Sequence, residues 1–233
     1  MKYSLLFIFI LNIISYHFTY AQELIGFTEE LPGLIELEGE NLKGPVVENV
    51  RKILKKANLK ENLKVYPWAR SYEMAKREKN YFIFPMAKNS EREKYFHFVG
   101  VLFNVKTYLY QKSSNNIKVK SIEEARNYSI CVVRNDIRDQ FLTSHNFANI
   151  QRYSDQDEAI HALIAKKCDF AICAENIEYI WKKNVKENLN YLVKKAYHVK
   201  EIDGARYLSI SKQTDPEIIK RLSTAMKEIK INN

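Results

Sequence analysis

Cysteine, proline and glycine are all scarce in this chain, with 3, 5 and 6 copies among 233 residues. So few glycines and prolines exclude collagen-like repeats and flexible linkers. Three cysteines are too few for a fold built on disulfides, and no paired-cysteine spacing suits zinc. Beyond the N-terminus no apolar run approaches the roughly 20 residues that a membrane helix needs. No internal repeat occurs, and no block of five like charges, so solenoid arrays and charged tails are excluded too. What is present is globular material, 46% hydrophobic and 28% charged, too apolar for a disordered chain. At roughly 150 residues per domain, the length fits one large domain or two lobes of about 100 residues.

The first residues read as an export signal. Lys2 supplies a positive start, and residues 5–14 are apolar except for Asn12. Thr19-Tyr20-Ala21 then places small residues at the first and third positions before a cut. No cysteine follows, so a lipid-anchored product is not expected. The expectation is a signal peptide over residues 1–21 and a periplasmic mature protein starting at Gln22. Lys and Arg number 37 against 28 Asp and Glu, a net charge of +9, or +8 without Lys2. An exported protein rarely meets nucleic acid, so this surplus suits plain solvation or a small acidic ligand.

Cys168 and Cys173 bound an apolar segment that reads as a strand, which would hold them about 16 Å apart, beyond bridging range. Buried free thiols are expected, and pairing of Cys131 with either of the others stays open.

A strand–helix alternation organises the chain. Residues 23–28 are a strand candidate. Gly44-Pro45 opens a helix in which Val46, Val47, Val50, Ile53, Leu54 and Ala57 recur at helical spacing. Extended residues 63–66, a helix over 69–77 and a strongly apolar strand over 81–86 follow, and Asn89 caps a short helix from Ser90. Residues 98–110 read as one long extended segment with little core character. The pattern restarts with strands at 128–133, near Ile150 and at 168–173, and with helices at 136–144, 154–165 and 177–185. Residues 207–211 are extended. The last helix has Asp215 as cap, Pro216 as first residue and Ile218, Ile219, Leu222, Met226 and Ile229 on its buried face. Such alternation predicts an α/β architecture with parallel sheets in two lobes.

In open α/β sheets, ligands bind beyond the carboxyl ends of the strands. Trp68, Arg70, Ala87 and Lys88 all follow such strand ends. Arg92 is the third residue of the helix capped by Asn89, where the helix dipole penalises a cation by a few tenths to about 1 kcal/mol. A shared anion would account for it, since helix N-termini also bind anions. The alternative is a pair with Glu91 or Glu93 on a solvated face. Even as a ligand contact, a residue on the first turn of an exposed helix is expected to support little core.

These residues carry a resemblance. The strand followed by Ser90-Glu91-Arg92 and the aromatic Tyr95-Phe96-His97-Phe98, preceded by Pro67-Trp68-Ala69-Arg70, is similar to bacterial extracellular solute-binding proteins of family 3. These are type 2 periplasmic binding proteins of amino-acid ABC transporters. The resemblance extends over the mature chain and includes Gly44 and the extended segment before the last helix. It implies two α/β lobes joined by two hinge strands, lobe 1 being residues 22–104 plus 205–233 and lobe 2 residues 105–204. It implies a monomer that holds a small anionic or zwitterionic solute in the cleft for an ABC permease, without a cofactor. Arg92 would grip the solute's carboxylate, Ala87 and Lys88 would line the pocket, and Trp68, with Phe27 or Tyr66, would form aromatic walls. Glu30, after the first strand, is a further candidate. Arg134 matches a basic ligand contact, although the family's glycines are missing from Arg134-Asn135-Asp136-Ile137-Arg138. Where the family's ammonium-binding aspartate is expected stands Ala174, with Glu175 one step later.

Two other classes compete. Some members of this fold are lyases, and Glu29, Glu30 and Glu175 are candidate acids, but carboxylates at strand ends equally hold an ammonium. No Ser-His-Asp or Cys-His arrangement is legible, so catalysis is not expected. The third class is a ligand-sensing partner of a membrane receptor.

Overall fold

The structure is a computed structural model that describes residues 24–175 and 192–229. The expected leader, the expected helix over 177–185 and its Trp181 lie outside the described residues. Two five-stranded sheets form two lobes. In the first, β1 (Ile25–Thr28) lies between β4 (Leu63–Val65) and β5 (Tyr81–Met86), all parallel. β12 (Ala205–Ser211), antiparallel to β5, and β6 (Phe96–Asn104), antiparallel to β12, complete it. In the second, β10 (Phe170–Ala174), β8 (Ile130–Val133) and β9 (Ile150–Tyr153) are parallel. β7 (Thr107–Lys112) joins them antiparallel and carries β11 (Val193–His198) on its other side. β2 (Glu36–Glu38) and β3 (Asn41–Lys43) are a separate hairpin.

Helices cover both sheets for reasons visible in their sequences. α1 (Pro45–Lys56) starts after Gly44, whose φ of 118° suits glycine, and a Cβ there would fall 2.3 Å from the Leu34 carbonyl oxygen. Its Val46, Val47, Val50, Ile53 and Leu54 are buried in a core shared with Phe82, Phe84, Leu208, Ile210 and Leu222. Leu222 belongs to α6 (Pro216–Glu228), where the Asp215 carboxylate accepts from the Glu217 N–H at 2.8 Å and Pro216 fills the tolerated first position. The second lobe packs Leu109, Ile130, Val132, Leu142, Phe170 and Ile172 into its own core.

Residues 98–110 are not one coreless extended segment. They are the end of β6 in one sheet and the start of β7 in the other, with Leu102, Val105, Leu109 and Tyr110 buried. The chain changes lobe at Val105-Lys106 and returns between His198 and Ala205. The two crossings touch: the Val105 N–H donates to the Gly204 carbonyl at 3.0 Å. A Cβ on Gly204 would lie 2.8 Å from the Val105 carbonyl oxygen.

Free thiols are corrected as well. Cys131 on β8 and Cys168 before β10 form a disulfide with Cα atoms 5.9 Å apart, within bridging geometry because the two strands are neighbours. Only Cys173 is free among the described residues, and it is buried.

Candidate ligand-binding cleft

The carboxyl ends of β1, β5, β8 and β10 face one another across the lobe boundary and border a cavity of about 40 Å³. Lobe 1 lines it with Glu29, Trp68, Ala87 and Arg92, lobe 2 with Asp136, Arg138, Gln156 and Ala174, and the hinge side with Phe103, Val105 and Arg206. A second chamber of about 290 Å³ lies outside it. Glu29, Leu31, Asp136, Arg138 and Gln156 line both, so the two share a wall, and Glu30, Asp155 and Asp157 make the outer one acidic.

Arg92 is the key of the lobe contact. Asn89 Oδ1 accepts from the Arg92 N–H at 2.8 Å and starts α3 (Ser90–Glu93). The side chain is only 1% exposed. Its guanidinium donates to the Ala87 carbonyl at 2.9 Å, to the Asn135 carbonyl at 3.2 Å and to Gln140 Oε1 at 3.1 Å. It also lies 5.1 Å and 5.3 Å from the ring centres of Trp68 and Tyr72, close enough for cation–π attraction. Burial lowers its pKa to about 10, so it remains charged near neutrality. The partner carbonyl comes from Asn135, which adopts a φ of 57°. Asparagine tolerates this left-handed conformation where the resemblance led us to expect glycine. The same carbonyl accepts from Trp68 Nε1 at 2.9 Å.

Beside this corner stands a buried ion pair. Asp136 caps α4 (Ile137–Ser144) by accepting from the Arg138 N–H at 2.9 Å, and its carboxylate pairs with the Arg138 guanidinium. Burial opposes the charge of Asp136, but Arg138 outweighs it and holds the acid at about 2. Burial likewise opposes the charge of Arg138, and Asp136 drives its pKa up. Arg138 also donates to Gln156 Oε1 at 2.9 Å, an oxygen that accepts from the Ala174 N–H at 3.0 Å, tying α5 (Gln156–Ile164) to β10. Glu29 keeps part of its residue surface exposed, yet its carboxyl is raised to about 8 by burial and then by the nearby Asp136 charge.

The expected site residues separate into groups. Arg92, Trp68 and Ala87 line the inner cavity, and Glu30 lines the outer chamber, where its carboxylate accepts from the Leu37 N–H. Trp68 is both core and cleft, 2% exposed and bonded across the lobes. Burial overturns the solvated-face alternative for Arg92, and it also overturns the separate expectation that a ligand-binding Arg92 would support little core. Lys88 does not line the cavity. It is exposed, pairs with Glu93 at 2.8 Å, and faces a separate surface groove, because β5 ends at Met86 and Lys88 lies beyond the turn. Arg134 is exposed and absent from both chambers, and the cation that enters from this loop is Arg138. Glu175 binds the Lys106 N–H at 3.0 Å in the first crossing, leaving Ala174 to line the cavity. Arg70 is exposed and lies over the Tyr66 ring at 4.0 Å, and Tyr66 itself stacks on Phe27 outside the cavity. Arg138, Asp136, Gln156 and Arg206 were missed. Arg206 had a signal, a lone charge at the head of an apolar strand in Ala205-Arg206-Tyr207-Leu208.

No protein-family model matches the sequence, and comparison with curated proteins finds no match. Solved structures do match in shape. A histidine kinase sensor domain with similarity to periplasmic binding proteins superposes with a TM-score of 0.76 at 16% identity, over 88% of this chain and 89% of that one. The arginine-, lysine-, histidine-binding protein ArtJ from Geobacillus stearothermophilus gives 0.72 at 16% identity, over 88% of each chain. An ancestral arginine-binding protein bound to arginine gives 0.71 at 19% identity, over 88% of this chain and 91% of that one. The chain has the two-lobed α/β fold of periplasmic binding proteins.

Proposed function

We propose that this protein is an exported solute-binding protein that captures a small carboxylate-bearing solute, an amino acid or a related compound, between its lobes. The observation that carries the reading is the interlobe cavity lined by three arginines, Arg92, Arg138 and Arg206, against one strongly ionised carboxylate, Asp136. An inner space of about 40 Å³ admits a carboxylate head, since a single water needs roughly 10–15 Å³ on this measure. The body of the solute would extend into the acidic outer chamber, which suits a cationic or ammonium group. The similar proteins described as binding arginine, lysine or histidine support this charge pattern, and the Cys131–Cys168 disulfide suits an oxidising compartment outside the cytoplasm. A periplasmic monomer delivering its solute to an ABC permease fits these features. The sensor-domain similarity favours one second reading, in which the loaded protein signals to a membrane receptor.

The test is calorimetric titration of the mature protein with arginine, lysine, histidine and glutamate, beside small-angle scattering and tryptophan fluorescence. Binding of at least one of them, with a smaller radius of gyration and a fluorescence change that Trp68→Phe abolishes, is expected. Absence of heat and of compaction with all four would overturn the amino-acid reading.

A further inference from the structure

Arg206 stands apart from every other charge in the cleft. It is 7% exposed, lies on β12 where the chain re-enters lobe 1, and lines the inner cavity. Its Nη1 donates to the carbonyls of Asp203 at 3.0 Å and Ala205 at 3.2 Å, while Nη2 finds no acceptor among the described residues. Buried donors are almost always satisfied, and a buried cation without a counter-charge is costlier still. The surroundings relieve it only in part. Arg138 and Arg92 both repel it, Asp136, which attracts it, is already paired with Arg138, and the attraction of Asp203 is the weakest of the four. Burial lowers the guanidinium to about 10, which leaves it charged at neutral pH. Arg92, by contrast, spends Nε and both terminal nitrogens on protein oxygens.

We propose that Arg206, at the hinge end of the cleft, is the direct anchor for the solute's carboxylate, and that Arg92 is chiefly a latch between the lobes. This rests on the solute-binding reading above. A carboxylate oxygen in the inner cavity accepts the free Nη2 hydrogens, supplies a negative charge of its own to Arg206, and bonds to a residue beside the crossing. Occupation of the site is thereby tied to the place where the lobes turn.

Sodium acetate is the probe, since it is the bare head group and presumes no particular solute. Thermal melts in acetate are compared with melts in sodium chloride of equal ionic strength. Wild type should melt about 2–4 °C higher in acetate. Arg206→Met should lose that increment, and Arg70→Met, which removes an exposed cation outside the cavity, should keep it. Should Arg206→Met fail to fold, Arg206→Lys takes its place and should keep less than half of the increment, because an ammonium lacks the planar fork. An unchanged increment in the Arg206 variant, or none in wild type, overturns the proposal. Failure of the four amino acids to bind would sink the solute reading without altering the acetate result, so the two failures are distinguishable.

Discussion

The corner around Arg92 and the hinge end around Arg206 put the same side chain into two different states. Both arginines belong to lobe 1, both are buried, at 1% and 7% exposure, and burial lowers both to about 10. Arg92 has three protein oxygens and two aromatic rings about it, whereas Arg206 keeps one nitrogen bare. The first is a structural bolt between lobes, and the second is a charge waiting for a partner. Burial alone does not separate these roles. Accounting for each donor's acceptor does.

Removing the bolt should have the largest effect. Arg92→Ala strips three hydrogen bonds and leaves the Ala87 carbonyl without this donor, which should cost about 2–4 kcal/mol of stability. Urea denaturation of the ligand-free protein measures it, and a wild-type midpoint would erase the distinction between the two arginines.

Glu29 comes next, because its carboxyl interacts with Asp136, Arg138 and Arg92. Its pKa is raised to about 8 in the folded protein from 4.5, so the native state binds the proton more tightly than the unfolded chain. The contribution to stability is therefore full below about 4.5 and is lost as pH rises towards 8. Glu29→Gln should flatten the fall in melting temperature across that window. An equal slope in both proteins would place the Glu29 carboxyl in open water.

The smallest effect should come from Asn135→Gly. The bolt uses the Asn135 backbone carbonyl and a left-handed φ of 57°, both of which glycine supplies. Stability should stay within about 0.5 kcal/mol of wild type by the same denaturation assay. A larger loss would assign the corner's strength to the asparagine side chain.

Much of the fold was legible because periodicity and caps are local. The buried faces of α1 and α6, the Asn89 cap and the apolar β5 all follow from neighbouring residues. The crossings were harder to read. Two strands of different sheets joined through Val105-Lys106 have no break in their extended pattern, so they merge into one segment when read along the chain. The disulfide was hidden for a related reason: Cys131 and Cys168 are 37 residues apart, and only the pairing of β8 with β10 brings them together. At the site, Arg92, Trp68 and Ala87 could be found from strand ends and motif resemblance. Arg134 and Glu175 marked the right loops, but the side chains that enter the cavity stand at 138 and 174. Which residue of a turn points inward depends on backbone dihedrals such as that of Asn135, which composition does not encode.

The contact between Val105 and Gly204 has a mechanical consequence. Two separate tethers between rigid bodies would allow swivelling as well as flexing. Joined by the Val105–Gly204 hydrogen bond, and closely approached because Gly204 has no side chain, the crossings form a narrow paired ribbon. If the lobes open and close around a solute as proposed above, such a ribbon would favour bending across its flat face over torsion, like a clasp on a strap, and would bring the two halves of the cleft back to the same registration.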